Sequence, residues 1–198
     1  MQSIKTIIGS IAVILTFIGY IPYTRDIIAG KTKPHLYSWF LWGFVTAIVF
    51  ALQFNDKAGI GSFVTLAAAL MCFVVIFLAI KRRVTSKITN SDKIFLGLAF
   101  LTLAIWLIAK QPLLSAILAT AIDLLGFAPT VRKSWNEPYS ETLSFYYLNT
   151  LRFALAAFSL NRYTIITALY PVLWFLANGL FAVILLVRRK QVDQPINK

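Results

Sequence analysis

The chain has 198 residues, of which 59% are hydrophobic and only 13% are charged, and its formal net charge at pH 7 is +12. Soluble globular chains are about half apolar and about one quarter charged, so this composition excludes an ordinary soluble domain. A single cysteine and a single histidine exclude a disulfide-stabilised scaffold, a zinc site and a haem motif. We therefore expect a membrane protein with no cofactor and no metal.

Apolar windows along the chain predict the membrane spans. A helix needs about 20 mostly apolar residues to cross a hydrocarbon core about 30 Å thick, and seven windows bounded by charge, proline or glycine fit this requirement approximately. In chain order they are Ile7–Tyr23, Leu36–Phe54, Gly59–Ile80, Lys93–Ala109, Pro112–Phe127, Ser140–Leu160 and Thr164–Val187. The sequence therefore predicts an all-α membrane protein with seven transmembrane helices, followed by a disordered cytoplasmic tail over residues 191–198.

The basic residues concentrate on one side of this arrangement. Fourteen of the 19 Lys and Arg residues lie after the seventh span or in the loops after the first, third and fifth spans, with Lys93 counted at the start of the fourth span. The positive-inside rule then places the N-terminus outside and the C-terminus in the cytoplasm, and we expect the plasma (inner) membrane. The basic side chains would face anionic lipid headgroups. No nucleic-acid partner is expected, because the loops are too short to form a basic groove with stacking aromatics.

An internal repeat occurs at an offset of 107 residues. Residues 19–25 and 126–132 both fit the pattern Gly-aromatic-x-Pro-x-x-Arg, and the same offset places Leu41 on Leu148. Each copy contains three spans, and the fourth span has no counterpart. A single extra helix between two three-helix units keeps them parallel, which is a recurrent transporter design. The sequence therefore predicts a 3+1+3 arrangement, with units over residues 1–83 and 111–190 and a linker helix over residues 84–110.

This arrangement resembles the SWEET and PQ-loop transporter superfamily. The resemblance rests on the seven-span architecture and on one proline near the cytoplasmic end of spans one and five, Pro22 and Pro129, each followed by a basic loop and then by a serine, Ser38 or Ser144, near the start of the next span. Tyr and Thr replace the glutamine of the family's Pro-Gln pair. The resemblance implies a carrier for a sugar-like solute that works by alternating access between the two units.

Pro22 and Pro129 are predicted to kink spans one and five near the cytoplasmic face, because proline inside a helix removes a backbone hydrogen bond. Two interpretations follow from this position. The resemblance implies that the prolines are hinges of a cytoplasmic gate. The alternative is a static helix end that precedes a loop.

Asp123 and Arg152 are charged residues that lie inside spans five and six, away from the first residues of these spans. An ionisable side chain inside a membrane is costly and is by default a functional-site hypothesis. The helical rise of 1.5 Å per residue puts the two residues roughly 8 Å apart along the membrane normal, so a long arginine could close most of the gap. Either they form a buried pair that fixes packing, or Asp123 takes up a proton or contacts a polar or cationic solute. The two interpretations are compatible.

Polar and aromatic residues recur at helical spacing on one face of three spans. In span two these are Ser38, Trp42, Thr46 and Gln53; in span six, Asn149, Arg152 and Ser159; in span seven, Tyr170, Trp174 and Asn178. Asn149 falls on Trp42 at the repeat offset, so equivalent positions carry an amide and an indole, a combination that suits a small polar solute. The alternative role for aromatic residues is an interfacial belt. The predicted substrate-binding residues are Ser38, Trp42, Asn149, Trp174 and Asn178.

Three classes of function compete for this sequence. The duplicated unit, the paired prolines and the polar stripes favour a carrier for a small polar solute. A seven-helix receptor or interaction protein that binds a ligand without transport is the alternative, because fold alone does not set function. We do not expect an enzyme, because the sequence has no HExxH, no Gly-x-Ser-x-Gly and no P-loop. The expected partners are the solute and the lipid bilayer, and a homo-oligomer is left open.

Overall fold

The computed structural model describes residues 2–30, 32, 34, 36–84, 90–139 and 141–192 of the chain. Every regular element in these ranges is helical, which confirms the prediction of an all-α protein. The elements are α1 (Gln2–Ile28), α2 (Leu36–Asn55), α3 (Ser62–Lys81), α4 (Asn90–Leu107), α5 (Pro112–Asn136), α6 (Leu143–Phe158) and α7 (Ile165–Gln191), with a 3-10 turn, Gly59–Gly61, before α3. Of the predicted tail, Gln191 is the last residue of α7, and residues 193–198 lie outside the described residues.

Five segments are long and apolar enough to cross a membrane: Gln2–Ile28, Leu36–Asn55, Gly59–Lys81, Pro112–Asn136 and Ile165–Gln191. Large apolar side chains such as Ile21, Phe77 and Leu180 are exposed on their surfaces, which suits lipid and would be unfavourable in water. The chain is therefore a helical integral membrane protein. The apolar part of α4, Lys93–Leu107, is shorter, and α6 has 16 residues, so a crossing by these two helices stays a prediction.

Two helices extend well beyond their predicted spans. α1 continues past Tyr23 to Ile28, and α5 continues past Phe127 to Asn136. An apolar window predicts only the apolar part of a helix. It therefore ends before a final turn that contains polar residues. Pro22 and Pro129 consequently lie inside helices, and the interpretation of each proline as a helix end is wrong. Their role as hinges stays a prediction.

The helices pack in two corresponding sets. α3 packs on both α1 and α2, and α7 packs on both α5 and α6. Between the sets, α1 packs on α6 and α5 packs on α2, while α4 contacts α5 and α2. Each helix pair in the first set thus has a counterpart in the second, and the interface between the sets is formed by equivalent helices.

The two ends of this bundle differ in character. At one end, which we call the basic end, α1, α3, α5 and α7 finish, and Arg188 donates to the Trp135 carbonyl at 2.8 Å. At the other, which we call the Asp56 end, the connection after α2 meets the connection before α7. There the Asp56 carboxylate accepts hydrogen bonds from Arg162 at 3.0 Å and from Thr164 at 2.5 Å. Polar contacts between loops therefore close the Asp56 end.

Gly61 lets α6 approach the start of α3 closely. A Cβ atom at Gly61 would lie 2.8 Å from the Ala156 carbonyl oxygen, whereas a Cβ atom at Gly97 in α4 would meet nothing within 4 Å. Overpacking of this kind costs about 1–3 kcal/mol, and alanine in an open helical position gains up to about 1 kcal/mol over glycine. We expect Gly61→Ala to lower the thermal unfolding temperature in detergent and Gly97→Ala to leave it unchanged or raise it. Equal responses would contradict this packing.

Candidate functional site

Asp123 lies in the interior of the bundle on α5 and is 1% exposed. Its Oδ2 atom accepts a hydrogen bond from the Tyr170 hydroxyl at 2.9 Å and another from Trp174 Nε1 at 3.0 Å. Both donors are on α7, four residues apart, so they lie on one face of that helix. The other oxygen, Oδ1, has no hydrogen-bond partner in the part of the chain that the structure describes. The carboxylate is therefore held through one oxygen and has acceptor capacity left on the other.

Tyr170 also links Asp123 to α2. Its hydroxyl oxygen lies 3.1 Å from Thr46 Oγ1. A tyrosine hydroxyl carries one proton, which Tyr170 donates to the carboxylate, so Thr46 is the donor in the second bond. A hydrogen-bonded chain thus runs from α2 through α7 to the carboxylate on α5.

Trp42 of α2 lies close to Asp123 on the basic-end side. A Cβ atom at Gly126 would lie 3.0 Å from Trp42 Nε1, and Cβ atoms three residues apart on a helix are separated by about 5–6 Å. The indole N–H of Trp42 is therefore within about one helical turn of Asp123. This nitrogen is buried, and none of the described residues is its hydrogen-bond partner. An unpaired donor and an unpaired acceptor thus lie near each other where α2 meets α5.

Aromatic side chains form the walls around the carboxylate. The Trp174 ring stacks on Phe153 with centroids 6.2 Å apart and an interplanar angle of 19°, and it lies 5.5 Å from the Phe127 ring. Tyr170 meets Phe153 edge-on at 5.9 Å. Mostly aromatic walls with a few placed polar groups are typical of binding sites for small molecules.

Arg152 of α6 forms a second buried polar cluster. It is 3% exposed, donates from Nε to Asn149 Oδ1 at 2.6 Å, and donates from Nη1 to Thr16 on α1 at 3.4 Å. Its guanidinium lies 4.2 Å from the centre of the Phe153 ring. The pairing with Asp123 that the sequence suggested is not formed, because these neutral partners hold the arginine while Asp123 is turned toward α7. The Phe153 ring lies between the two clusters, because it contacts both the Arg152 guanidinium and the Trp174 ring.

The remaining predicted binding residues take other positions. Asn178 is 1% exposed, but its Nδ2 donates to the Trp174 carbonyl of its own helix at 2.7 Å. Ser38 is half-buried near the start of α2, about 12 Å along the helix from Thr46. The structure therefore brings Asp123 and Trp174 into direct contact, places Trp42 beside them, and joins Asn149 to Arg152. It does not direct Ser38 or the Asn178 amide to this site.

Three residues of the site were not among the predicted binding residues: Tyr170, Thr46 and Gly126. Tyr170 and Thr46 do belong to the polar stripes that the sequence shows, each one turn from a predicted tryptophan. Gly126 belongs to the repeated motif. The stripes and the repeated motif therefore contain the residues that lie around Asp123, and their role in binding stays a prediction.

Both ends of the site are closed. Toward the basic end, a buried aromatic cluster follows Trp42 and Asp123, with Tyr20, Tyr23, Trp39, Phe145 and Tyr146 among its members. Outside this cluster, at the basic end itself, Asp26, Thr142 and Arg189 help to line a cavity of about 400 Å³. Toward the other end, the Asp56 contacts close the bundle. The carboxylate is therefore enclosed, and the basic-end cavity is separate from it.

No family model matches the chain, and no curated protein or solved structure was found to be similar to it.

Proposed function

We propose that this protein is a carrier or facilitator for a small polar, sugar-like solute that binds beside Asp123. One observation carries the proposal: a carboxylate oxygen of Asp123 and the indole N–H of Trp42, both without a partner among the described residues, lie within about one helical turn of each other inside a membrane protein. A buried polar atom without a partner costs about 1–3 kcal/mol, and lipid cannot supply one. A hydroxyl group can, because it donates to the carboxylate and accepts from the indole.

The contacts between the two helix sets support a duplicated parallel unit. A Cβ atom at Gly19 would lie 3.4 Å from Leu148, and one at Gly126 would lie 4.0 Å from Leu41. The repeat offset of 107 residues exchanges these two contacts, as a two-fold axis between copies requires. We therefore propose the 3+1+3 arrangement with all seven helices crossing the membrane, as in the SWEET and PQ-loop superfamily.

The same offset supports a site between the units. It relates Thr16 to Asp123 and Trp42 to Asn149, so equivalent positions of both copies contribute to the two buried polar clusters. Carriers built from parallel repeats bind their solute at this interface, near the midplane of the membrane.

The closed ends fit an occluded stage of alternating access. We propose that the basic end faces the cytoplasm across the plasma (inner) membrane, with the N-terminus outside. In this orientation Pro22 and Pro129 lie inside helices near the cytoplasmic aromatic cluster, where a hinge would open it. The Asp56 contacts would then close the outer side.

A receptor or interaction protein is the second candidate function. The cavity beside Asp26 and Arg189 favours it, because this cavity lies at the basic end and its lining does not include Asp123. A ligand could bind in this cavity without being transported through the helix bundle. Such a protein would show binding without flux.

Uptake by proteoliposomes tests the carrier proposal. The panel contains radiolabelled glucose and sorbitol as neutral hydroxylated probes, and glycine and choline as zwitterionic and cationic probes, with empty vesicles as the control. We expect uptake of at least one neutral hydroxylated probe above empty vesicles, and faster uptake when the same unlabelled probe is inside. Binding without any uptake would favour the receptor, and neither binding nor uptake across the panel would contradict the carrier proposal.

A further inference from the structure

Polar contacts between α2 and α7, and then between the connection after α2 and the connection before α7, follow one another from the site toward the Asp56 end. As the position rises along α2 it falls along α7, so the contacts form the rungs of an antiparallel ladder, which we call the α2–α7 ladder. Its rungs are Thr46 with Tyr170 at 3.1 Å, Gln53 with the Thr167 carbonyl at 3.0 Å, and Asp56 with Thr164 at 2.5 Å. Because α2 and α7 belong to different helix sets, the ladder holds the two sets together on this side of the site.

The innermost rung shares its hydroxyl group with the carboxylate. Thr46 donates to Tyr170, and Tyr170 donates to Asp123 Oδ2. Hydrogen bonds to an ionised acceptor are roughly twice as strong as neutral ones, and bonds in a chain polarise one another. The strength of the Thr46–Tyr170 rung therefore depends on the charge that Asp123 presents to Tyr170.

Arg152, the other charged side chain in the interior site region, donates to Asn149 and Thr16 and makes no hydrogen bond to this chain. Among the described residues, the second oxygen of Asp123 has no hydrogen-bond partner. A hydrogen-bond donor that binds at Oδ1 reduces the negative charge that the carboxylate presents to Tyr170, although it does not contact Tyr170. It can thus weaken the Thr46–Tyr170 hydrogen bond from the opposite side of the carboxylate.

We infer that Tyr170 is a positioning residue that couples occupancy of Asp123 to opening of the Asp56 end. A group bound at Oδ1 weakens the pull of the carboxylate on the Tyr170 proton, which weakens the Thr46–Tyr170 bond and loosens the α2–α7 ladder at its inner end. The role of this opening in a transport cycle rests on the proposed carrier function. The coupling itself is a property of the hydrogen-bonded chain.

Thiol accessibility measures the opening directly and needs no solute. The only cysteine, Cys72, is replaced by serine, and Val49→Cys places a reporter on α2 between the first two rungs, at a position that is 1% exposed. Val75→Cys on α3, at a position that is 0% exposed within the aromatic cluster, reports on the basic end. A charged thiol reagent in detergent then labels each reporter only when its end of the bundle opens.

Thr46→Val removes the innermost rung and leaves the bond between Tyr170 and Asp123 in place. We expect it to speed labelling at position 49 about three- to tenfold, the effect of losing one hydrogen bond, and to leave position 75 unchanged. The matched control is Thr120→Val, because Thr120 is equally buried and donates only to the Ala116 carbonyl of its own helix. Unchanged labelling at position 49 in folded Thr46→Val protein would overturn the inference. If that variant does not fold, Tyr170→Phe takes its place.

A double-mutant cycle separates coupling from simple packing. Asp123→Asn keeps the shape of the side chain and removes its charge. We expect it to speed labelling at position 49 when Thr46 is present and to add nothing in the Thr46→Val background, while Thr46→Ser restores the slow rate. Independent, multiplying effects of the two substitutions would overturn the coupling. Uptake without coupling would refute this inference alone, and coupling without uptake would refute the carrier proposal alone.

Discussion

Replacing Asp123 with leucine should reduce uptake of the transported probe about 10- to 100-fold. Leucine is larger than aspartate but is compatible with an apolar interior, and it cannot accept a hydrogen bond from a solute hydroxyl. Hydrogen bonds to charged groups contribute about 1.5–3 kcal/mol, and each 1.4 kcal/mol corresponds to a factor of about ten. The measurement is the initial rate of uptake in proteoliposomes, normalised to the amount of folded protein determined by thermal unfolding.

The matched control for this prediction is a carboxylate outside the site. Asp26 near the end of α1 accepts a hydrogen bond from Thr142 and lines the basic-end cavity. We expect Asp26→Asn to change uptake less than about twofold, since rim charges in high dielectric contribute little. If Asp26→Asn abolished uptake while Asp123→Leu retained it, the solute path would run through the basic-end cavity and the account of the interior site would be wrong.

Gly126→Val should reduce uptake at least about tenfold, with only a moderate loss of stability. Its Cβ atom would lie 3.0 Å from Trp42 Nε1, so the valine methyl groups would push the indole from its position within about one helical turn of Asp123. Overpacking costs about 1–3 kcal/mol, which lowers the unfolding temperature without preventing folding. The loss of uptake comes from displacement of the indole N–H and from the lost volume.

Gly19→Val provides the control for Gly126→Val, because the repeat offset relates the two positions. A Cβ atom at Gly19 would meet Leu148 at 3.4 Å, so this valine also overpacks a contact between the units but does so beside an aliphatic side chain. We expect the two variants to lose similar stability and only Gly126→Val to lose uptake strongly. Equal losses of uptake would mean that both glycines act only through packing.

The sequence located the helices well but not their ends. Apolar windows identified each of the seven helices, because lipid contact requires long apolar stretches. They missed the final turns of α1 and α5, since those turns are polar and hydropathy does not distinguish a polar helix from a loop. The apolar windows also overestimated the length of α6, which begins at Leu143 rather than Ser140 and ends at Phe158 rather than Leu160.

For the site, the sequence identified the charged and aromatic residues and missed how they pair. One interpretation of the sequence pairs Asp123 with Arg152, because a long arginine could close most of the roughly 8 Å between them along the membrane normal. The pairing depends instead on which helices are neighbours, and α5 packs on α2, α4 and α7, so Tyr170 and Trp174 reach the carboxylate first. A single sequence gives depth along a helix but not the direction in which a side chain points around it.

The repeat also explains why symmetry could not locate the charges. The offset relates Asp123 to Thr16 and Arg152 to Val45, so each charge occurs in only one copy. Positions that the copies share, such as Gly19 with Gly126 and Leu41 with Leu148, predict the scaffold. The site arises where the copies differ.

A structure determined in lipid with the transported solute bound would decide whether the solute binds beside Asp123. We expect a solute hydroxyl within hydrogen-bond distance of both Asp123 Oδ1 and Trp42 Nε1, enclosed by two three-helix units that superpose on each other. Solute bound only in the basic-end cavity, or units that fail to superpose, would contradict it.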